Sequence, residues 1–280
     1  MAERAVLVTG ASTGIGRETA LLLDRSGFTV FAGVRKQADA DSLVAEASAR
    51  LVPLIIDVTN ATQIAAAAKE ITTRVGDAGL YGLVNNAGTA AAAPLEFVPI
   101  EDFRWQLDVN LVGQLAVTQA LIPLLRIAKG RIINVTSIGG LIAGAMLGPY
   151  NASKFAFEAL THTLRQELSP WGIEAIAIEP GQIATPIWAT SGAKSDSMIS
   201  GNAEAEALYG SRIAGARKMA KNATANGLAP IEVARVIEKA LTAKKPKTRY
   251  PVGNDAKIGA AIIARLPDRT RDRIFAQRRA

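Results

Sequence analysis

The stretch "VTGASTGIG" at residues 8–16 carries three glycines between an apolar run and a helical pattern. Glycine lets the backbone turn sharply and come close to a pyrophosphate, and the N-terminus of the helix that follows offers free N–H groups and a positive dipole. A glycine-rich loop by itself is a weak signal. One that closes a strand and opens a helix at the start of a β-α-β unit predicts a dinucleotide-binding fold.

The rest of the chain continues the same alternation. Short runs that are apolar on both faces, as a parallel sheet covered by helices requires, predict strands at residues 5–9, 29–34, 52–56, 80–84, 131–136 and 174–178, with a last strand inside 245–253. Helical patterns lie between them, at 16–25, 61–74, 102–125 and 151–168. This succession predicts the α/β class, a doubly wound parallel-sheet Rossmann sandwich that forms a single domain over residues 1–280.

The composition excludes several classes of function. The chain has 280 residues, of which 49% are hydrophobic, and this is enough to bury a large core. It has no cysteine, so disulfides, thiolate metal sites and cysteine nucleophiles are excluded. The single histidine, His162, lies in a helical pattern without a nucleophile signature nearby. We therefore expect neither a metal site nor a Ser-His-Asp triad.

The basic charge is confined to the C-terminal end. Of the 32 basic and 25 acidic residues, eleven basic and three acidic ones follow residue 240, so the net charge of +7 is not a property of the body. This distribution predicts no nucleic-acid partner. Residues 254–280 form a basic extension with an apolar stripe, and we expect it to pack on the body or on a subunit rather than to bind a membrane surface.

Targeting and membrane-spanning patterns are not evident in the chain. The N-terminus is too short for a signal peptide before the first strand, and no uninterrupted apolar run approaches the roughly 20 residues of a transmembrane helix. We expect a soluble, cytoplasmic protein.

The stretch "PYNASKFAFEAL" at residues 149–160 places a phenol and an ammonium one helical turn apart. Tyr150 and Lys154 are residues i and i+4 of a helical pattern, so both side chains point to the same side. Such a pair is common on solvated helices, and its meaning depends on the motifs upstream.

These motifs occur in a specific order. They are TGxxxGxG at 9–16, "NNAG" at 85–88, Asn110 within "DVNLVG", Ser137 within "NVTSIGG", "YNASK" at 150–154 and "PGQIATP" at 180–186. Over about residues 5–186 the chain resembles the short-chain dehydrogenase/reductase family. The resemblance implies an enzyme that transfers a hydride between a nicotinamide cofactor and an alcohol or ketone.

The resemblance also implies a catalytic set. Tyr150 would act as the general acid and base, and Lys154 would lower its pKa and hold the nicotinamide ribose. Ser137 would donate a hydrogen bond to the substrate oxygen. Asn110 would support a water-linked proton path to the lysine, and the alternative is a buried polar residue that satisfies helix backbone.

The resemblance also implies which residues of this chain would contact the cofactor. Asp57 would accept from the adenine amino group, and Ile183 and Thr185 would contact the nicotinamide carboxamide. An alternative for residues 57–60 is helix-start chemistry, because Asn60 and Gln63 form a capping-box-like pair. The full implied set is Gly10, Ser12, Thr13, Gly14, Ile15, Gly16, Arg35, Asp57, Val58, Asn86, Ala87, Gly88, Tyr150, Lys154, Pro180, Gly181, Ile183 and Thr185.

The end of the second strand bears on the choice of cofactor. NAD-specific folds place an acidic residue there, whereas this chain has Arg35 and Lys36 and no acid before Asp39. An arginine can bind a 2′-phosphate through two hydrogen bonds. We therefore expect NADP(H) to be preferred, with NAD(H) possible if the two basic residues form only a solvated turn.

Residues 187–228 occupy the place of the family's substrate lid, although a pair of ordinary surface helices is the alternative. With the "IGGLIAGAMLG" segment at 138–148, their apolar side chains predict a small hydrophobic substrate, a secondary alcohol or ketone of the steroid, retinoid or long-chain lipid class. The chain is similar to the branch that contains retinol and hydroxysteroid dehydrogenases. The alternatives are a 3-oxoacyl-[acyl-carrier-protein] reductase and a non-catalytic cofactor-binding regulator.

The helical pattern at 102–125 is more apolar than contact with one sheet face requires. Its apolar residues include Leu107, Leu111, Leu115, Val117 and Leu121. Family members commonly pair through this helix and the one that carries Tyr150. We expect a homodimer or homotetramer.

Overall fold

A seven-stranded parallel sheet runs through the middle of the molecule. The computed structural model describes residues 4–277, except for the side chains of residues 188–190, which include the Trp188 of the predicted lid, and of 276 and 277. The strand order is β3-β2-β1-β4-β5-β6-β7, and every neighbouring pair is parallel. The strands are β1 (Ala5–Val8), β2 (Thr29–Val34), β3 (Leu51–Ile55), β4 (Gly82–Asn85), β5 (Arg131–Val135), β6 (Glu174–Pro180) and β7 (Arg249–Val252).

Helices cover both faces of this sheet. They are α1 (Gly14–Arg25), α2 (Gln37–Val44), α3 (Ala61–Val75), α4 (Ile100–Leu107), α5 (Gly113–Ala128), α6 (Gly148–Leu168), α7 (Ile187–Ile199), α8 (Ala203–Asn226), α9 (Pro230–Thr242), α10 (Asn254–Ala261) and α11 (Asp268–Gln277). The predicted α/β class and the doubly wound Rossmann sandwich are confirmed.

The two cores explain the apolar character of the strands. In β1, Val6 and Val8 point into one cluster with the inner faces of α1, α2 and α9, while Ala5 and Leu7 point into a second cluster with α3, α5 and α6. Each fully buried aliphatic side chain contributes about 1.5–3 kcal/mol. Because both faces are covered, the strands have no polar alternation for a sequence pattern to detect.

The helix expected over 102–125 is interrupted. A π-helical turn at Asp108–Val112 separates α4 from α5 and carries Asn110. The Asn110 side chain bonds to the backbone of Thr89, outside its own helix. Gly113 follows, and a Cβ there would lie 2.6 Å from the carbonyl oxygen of Val58. The prediction of a helix over 102–125 is confirmed, and the π-helical turn within it was not predicted.

The segment from Ile100 to Ala128 is the one helical run in residues 4–277 that is long and apolar enough to cross a membrane. Length and composition alone select it, and the core helix of a soluble protein can pass the same test. Its buried polar residues Gln106, Asn110, Gln114 and Thr118 bond within the molecule. This segment is therefore weak evidence for a membrane span.

The predicted lid is the helix pair α7 and α8. The pair forms a satellite core with the segment after β4, in which Met198, Ile199 and Ile213 pack with Ala91 and Met146. The C-terminal extension begins with α10, which packs beside the loop after β5, where Gly259 lies against Ile138. Residues 1–3 and 278–280 of the predicted domain lie outside the described residues.

Candidate active site

The motifs meet at one edge of the sheet. The glycine loop, the NNAG segment, Ser137 and the PGQIATP segment lie at the carboxyl ends of β1, β4, β5 and β6, while Asn110 and the YNASK motif lie on helices, and the strand order reverses between β1 and β4. A reversal of this kind opens a crevice, which is where open α/β sheets bind ligands. The topology thus brings together residues that are up to about 170 positions apart in the chain.

The loop after β1 depends on glycine. Gly10 and Gly14 have φ angles of +65° and +56°, which few side chains tolerate. A Cβ at Gly10 would lie 2.7 Å from Ala87 Cα, and one at Gly16 would lie 2.2 Å from the Gly10 carbonyl oxygen. Thr13 precedes α1 without a side-chain cap, and the first turn of α1 has no acidic residue. The N–H groups and dipole of α1 are therefore available to an anion.

The segment after β4 is bonded to this glycine loop. The Thr9 hydroxyl oxygen accepts from the N–H groups of Asn86 at 2.9 Å and Ala87 at 3.0 Å. The Asn86 amide donates to the carbonyl oxygens of Thr9 at 3.0 Å and Gly10 at 3.2 Å. Gln114 donates to the Ala87 carbonyl oxygen at 2.6 Å. The motifs did not single out Thr9 or Gln114 as bonding residues, because their partners lie far away in the chain.

Asn110 bonds to the next residues of the same segment. Its Oδ1 accepts from the Thr89 N–H at 2.8 Å, and its Nδ2 donates to the Thr89 carbonyl oxygen at 2.9 Å and to Ser153 Oγ at 3.0 Å. A Cβ at Gly88 would lie 3.5 Å from Asn110 Oδ1 and 3.9 Å from Lys154 Nζ. Asn110 thus satisfies the backbone of a loop and not of its own helix, and it places Gly88 beside the lysine. Its role in a proton path stays a prediction.

Ser137 and Tyr150 lie together at the end of β5. Ser137 is buried, and its Oγ accepts from the Gly139 N–H at 2.9 Å. Burial raises the pKa of the half-buried Tyr150, and a hydrogen bond with Ser137 opposes the rise without cancelling it. The expectation that Lys154, together with the oxidised cofactor, lowers this pKa stays a prediction.

Lys154 lies 6% exposed on the same helix. Its Nζ donates to the Val135 carbonyl oxygen at 2.9 Å and lies 5.8 Å from the centroid of the Tyr150 ring. Burial lowers the pKa of Lys154 to about 8, although the carboxylate of Glu158 acts in the opposite direction. Two donors of the ammonium remain for other partners. Glu158 is one helical turn beyond Lys154, so the i, i+4 spacing could have identified it.

The helix-start interpretation of residues 57–60 holds in the structure, and the adenine contact of Asp57 stays a prediction. Asn60 caps α3 by accepting from the Gln63 N–H at 3.1 Å, and the Gln63 side chain accepts from the Asp57 N–H at 2.7 Å. Burial acts to raise the pKa of Asp57, but hydrogen bonds from Thr59 and the nearby Arg35 outweigh it, so this pKa is lowered. Asp57 is thus a carboxylate at the edge of the crevice.

The other implied cofactor residues lie just beyond the carboxyl ends of β1, β2 and β3. Ser12 is half-buried in the glycine loop, and Ile15 packs on the core below it. Val58 is buried against α5. Arg35 and Lys36 are exposed just beyond β2.

The loop after β6 faces the glycine loop. It begins at Pro180 and Gly181 and carries Ile183 and Thr185, which are both buried. A Cβ at Gly14 would lie 3.1 Å from Thr185 Cγ2.

Two partners hold this loop after β6. Leu228 exchanges backbone hydrogen bonds of 2.9 Å with Gln182 and Ala184. The carboxylate of Asp255, on α10, accepts from the Gln182 N–H at 2.7 Å. The motifs did not point to Asp255, because it belongs to the extension beyond them.

An apolar pocket lies between the segment after β4 and the helix pair α7 and α8. Residues 90–92, Met146 and Ile213 line it, and Arg217 bonds to Asp196 at 2.7 Å at its border. Neither Ser137 nor Tyr150 lines this pocket. The segment 146–147 connects the pocket lining to the helix that carries Tyr150.

Comparison with known proteins agrees with this geometry. The family model described as short chain dehydrogenase matches residues 4–196. Retinol dehydrogenase 5 of Mus musculus is 37% identical over 279 residues, which cover 96% of this chain and 87% of that protein. The NADPH-dependent 3-dehydrocapnine reductase of Ornithobacterium rhinotracheale is 38% identical over 277 residues, which cover 97% of this chain and 96% of that one.

A solved structure is similar over nearly the whole length. It is a short chain dehydrogenase from Burkholderia cenocepacia J2315 in complex with NADP, with a TM-score of 0.73 and 27% identity, and the match covers 98% of this chain and 97% of that one. The family match includes every motif from the glycine loop to the loop after β6. The chain therefore belongs to the short-chain dehydrogenase family and is an NAD(P)-dependent oxidoreductase.

Proposed function

We propose that this protein transfers a hydride between NADP(H) and a hydrophobic secondary alcohol or ketone, of the steroid, retinoid or long-chain lipid class. The observation that carries the proposal is the convergence of Ser137, Tyr150 and Lys154 at the carboxyl end of β5. The phenol is hydrogen-bonded to Ser137, and the ammonium lies 5.8 Å from the ring centroid. This set supplies a proton donor, a hydrogen-bond donor and a positive charge at one place.

Each side chain has a distinct task. In reduction, Tyr150 donates its proton to the substrate oxygen, and Ser137 donates a hydrogen bond to the same atom as negative charge develops there. In oxidation the Tyr150 phenolate accepts the proton. Burial raises the pKa of Tyr150, so a positive charge close to the ring is needed to favour the phenolate near neutral pH. Lys154 provides that charge.

The crevice fits a dinucleotide. The positive-φ glycines and the uncapped N-terminus of α1 accept a pyrophosphate. When bound, the cofactor supplies or accepts the hydride. Residues 86–88 would hold the adenosine ribose, Asp57 the adenine amino group, Ile183 and Thr185 the carboxamide, and Lys154 the nicotinamide ribose.

The preference for NADP(H) rests on Arg35. The residue is exposed beyond β2, and its guanidinium lies near enough to Asp57 at the edge of the crevice to lower the pKa of that carboxyl group, so it would be within reach of a 2′-phosphate there. Arg17, the basic residue that follows the glycine loop, is instead held by Glu46 at 2.7 Å. The NADPH dependence named for the relative in Ornithobacterium supports this choice. NAD(H) is the alternative outcome of the test.

The substrate class rests on the apolar pocket between the segment after β4 and the helix pair α7 and α8. Its lining is almost entirely apolar, with alanines, Met146 and Ile213. Such walls bind a hydrocarbon body and leave polar specificity to a few groups. The relatives named for retinol and for 3-dehydrocapnine favour this class over a 3-oxoacyl-[acyl-carrier-protein] reductase. A non-catalytic regulator would not require Ser137, Tyr150 and Lys154 together.

A panel assay tests the proposal. Purified protein is incubated with steroids, retinoids, long-chain secondary alcohols and ketones, acetoacetyl thioesters and sugars, and the nicotinamide fluorescence is followed with each cofactor. We expect turnover of the hydrophobic compounds and faster turnover with NADP(H). Activity confined to sugars, or to acetoacetyl thioesters, would contradict the proposed substrate class.

We propose further that the protein is a cytoplasmic homodimer or homotetramer. Exposed apolar side chains on the α4–α5 run and on α6 support a subunit contact, namely Ile100, Trp105, Val112, Ile127 and Phe155. Light scattering at micromolar concentration should show the oligomer, and a monomer would contradict it. Vesicle co-sedimentation tests the alternative that the basic extension binds a membrane.

A further inference from the structure

A cluster of buried charges lies behind Lys154. Glu158 follows it by one turn of α6 and is 4% exposed, and Glu179 on β6 is 1% exposed. Arg249 on β7 lies between the two carboxylates, with Nη2 3.0 Å from Glu158 Oε2 and Nη1 bonded to Glu179. His162 completes the cluster, with its ring against Arg249 and 3.9 Å from Glu158. The reaction scheme above uses only Lys154 from this group.

Burial raises the pKa of both carboxyl groups, and the charge of Glu158 raises that of Glu179 further. One guanidinium can neutralise one of the two carboxylates. His162 supplies no second cation, because burial and the nearby Arg249 and Arg165 lower its pKa. The cations that act on Glu158 are Arg249 and Lys154. Both positive charges oppose the rise of the Glu158 pKa and so favour its carboxylate form, and Lys154 is the one of the two that lies on the same helix, one turn away.

This interaction affects the lysine in turn. Burial lowers the pKa of Lys154 to about 8, and the Glu158 carboxylate is the group that limits the fall. Facing Glu158 are Lys154 and His162 on its own helix, Thr136 after β5, Glu179 on β6 and Arg249 on β7. Glu179 acts on Glu158 and Arg249 but not on Lys154.

We infer that Glu158 is a positioning residue for the reaction, whose carboxylate keeps Lys154 in its charged form while Arg249 and Glu179 fix that carboxylate in place. The inference rests on the role proposed for Lys154. A neutral amine would neither favour the Tyr150 phenolate nor attract an electron-rich ribose oxygen as strongly. The cluster thus extends the site from the crevice to the last strand of the sheet.

The test is the pH profile of carbonyl reduction by Glu158→Gln. The form that is active in reduction has protons on both Tyr150 and Lys154, and it is lost at the first deprotonation of the pair as the pH rises. Removal of a negative charge makes both groups more acidic. We expect the alkaline limb of kcat/KM to move to lower pH by about one unit. Glu158→Met, an apolar side chain of similar length, should move it in the same way.

Glu179→Gln is the matched control. It removes an equally buried carboxylate from the same arginine, so it should lower stability to a similar degree while leaving the limb in place. Folding of each variant is checked by thermal unfolding, and either Glu158 variant that folds decides the result.

The inference would be overturned if the alkaline limb of the kcat/KM profile stayed in place in the Glu158 variants, or if it moved by the same amount in Glu179→Gln. Tyr150→Phe is assayed in parallel. If that variant keeps its turnover, the proposed function fails. If it is inactive while Glu158→Gln has the profile of the unaltered protein, only the role of Glu158 fails.

Discussion

Replacement of Asn110 by alanine is expected to lower the free energy of unfolding by about 2–4 kcal/mol. The side chain is 0% exposed and makes three hydrogen bonds of 2.8–3.0 Å. The Thr89 carbonyl oxygen keeps its bond from Gln106, and Ser153 keeps its bond to the Tyr150 carbonyl oxygen. The Thr89 N–H is therefore the group that loses its partner. An orphaned donor costs about 1–3 kcal/mol and each further lost bond about 0.5–1.5 kcal/mol. Water that enters the vacated polar space can replace part of the lost bonds, so the expected total lies in the lower half of the range that these values add up to.

Urea unfolding at a fixed protein concentration measures this loss. The control is Asn202→Ala, which removes one bond, the cap that accepts from the Ala205 N–H at 3.0 Å, and should cost about 1 kcal/mol. We also expect Asn110→Ala to weaken cofactor binding, because Asn110 fixes the segment beside Lys154. A loss no larger than that of the control would refute this account of Asn110. If stability and cofactor affinity hold while turnover falls, Asn110 acts in the proton path instead.

Two further predictions concern charge. Arg35→Asp should reduce the preference for NADPH over NADH by about ten- to a hundredfold, which corresponds to a charge-assisted contact of about 1.5–3 kcal/mol. Turnover at saturating cofactor should not change. An unaltered ratio of the two affinities would show that Arg35 does not bind the phosphate. For Lys154, the folded-state pKa of about 8 lies below the ordinary value of 10.5, so the buried ammonium costs stability that is regained as the pH rises from 8 to 10.5. Between pH 7 and 10.5 the unfolding free energy of the unaltered protein should therefore rise by about 3 kcal/mol relative to that of Lys154→Met. A difference between the two proteins that does not depend on pH would mean that the lysine keeps its ordinary pKa in the folded state.

The sequence predicted most of the sheet because strands that are buried on both faces appear in the sequence as short uninterrupted apolar runs. The strand predicted at 29–34 is β2, and that at 131–136 differs from β5 by one residue. The helix expected at 102–125 forms, but the π turn at Asp108–Val112, where Asn110 bonds to Thr89, was not predicted. No helical period carries information about such a contact.

The candidate site divides in the same way. Tyr150, Lys154 and the glycine loop are local motifs, so the resemblance to the family could locate them in the sequence. Arg249 and Asp255 reach the site from the last strand and the helix beyond it, which only the fold brings close. The electrostatic environment of the site could not be predicted from the sequence either. Burial controls the pKa of Tyr150, and burial is a property of the packed structure.

The most direct test of the central claim is the turnover of Tyr150→Phe. The variant removes only the phenolic oxygen, so cofactor affinity and the unfolding midpoint should stay close to those of the unaltered protein. Loss of the proton donor should lower kcat by at least about a hundredfold in both directions. Near-native turnover with unchanged cofactor binding would contradict the assignment of Tyr150 as the acid and base of the reaction.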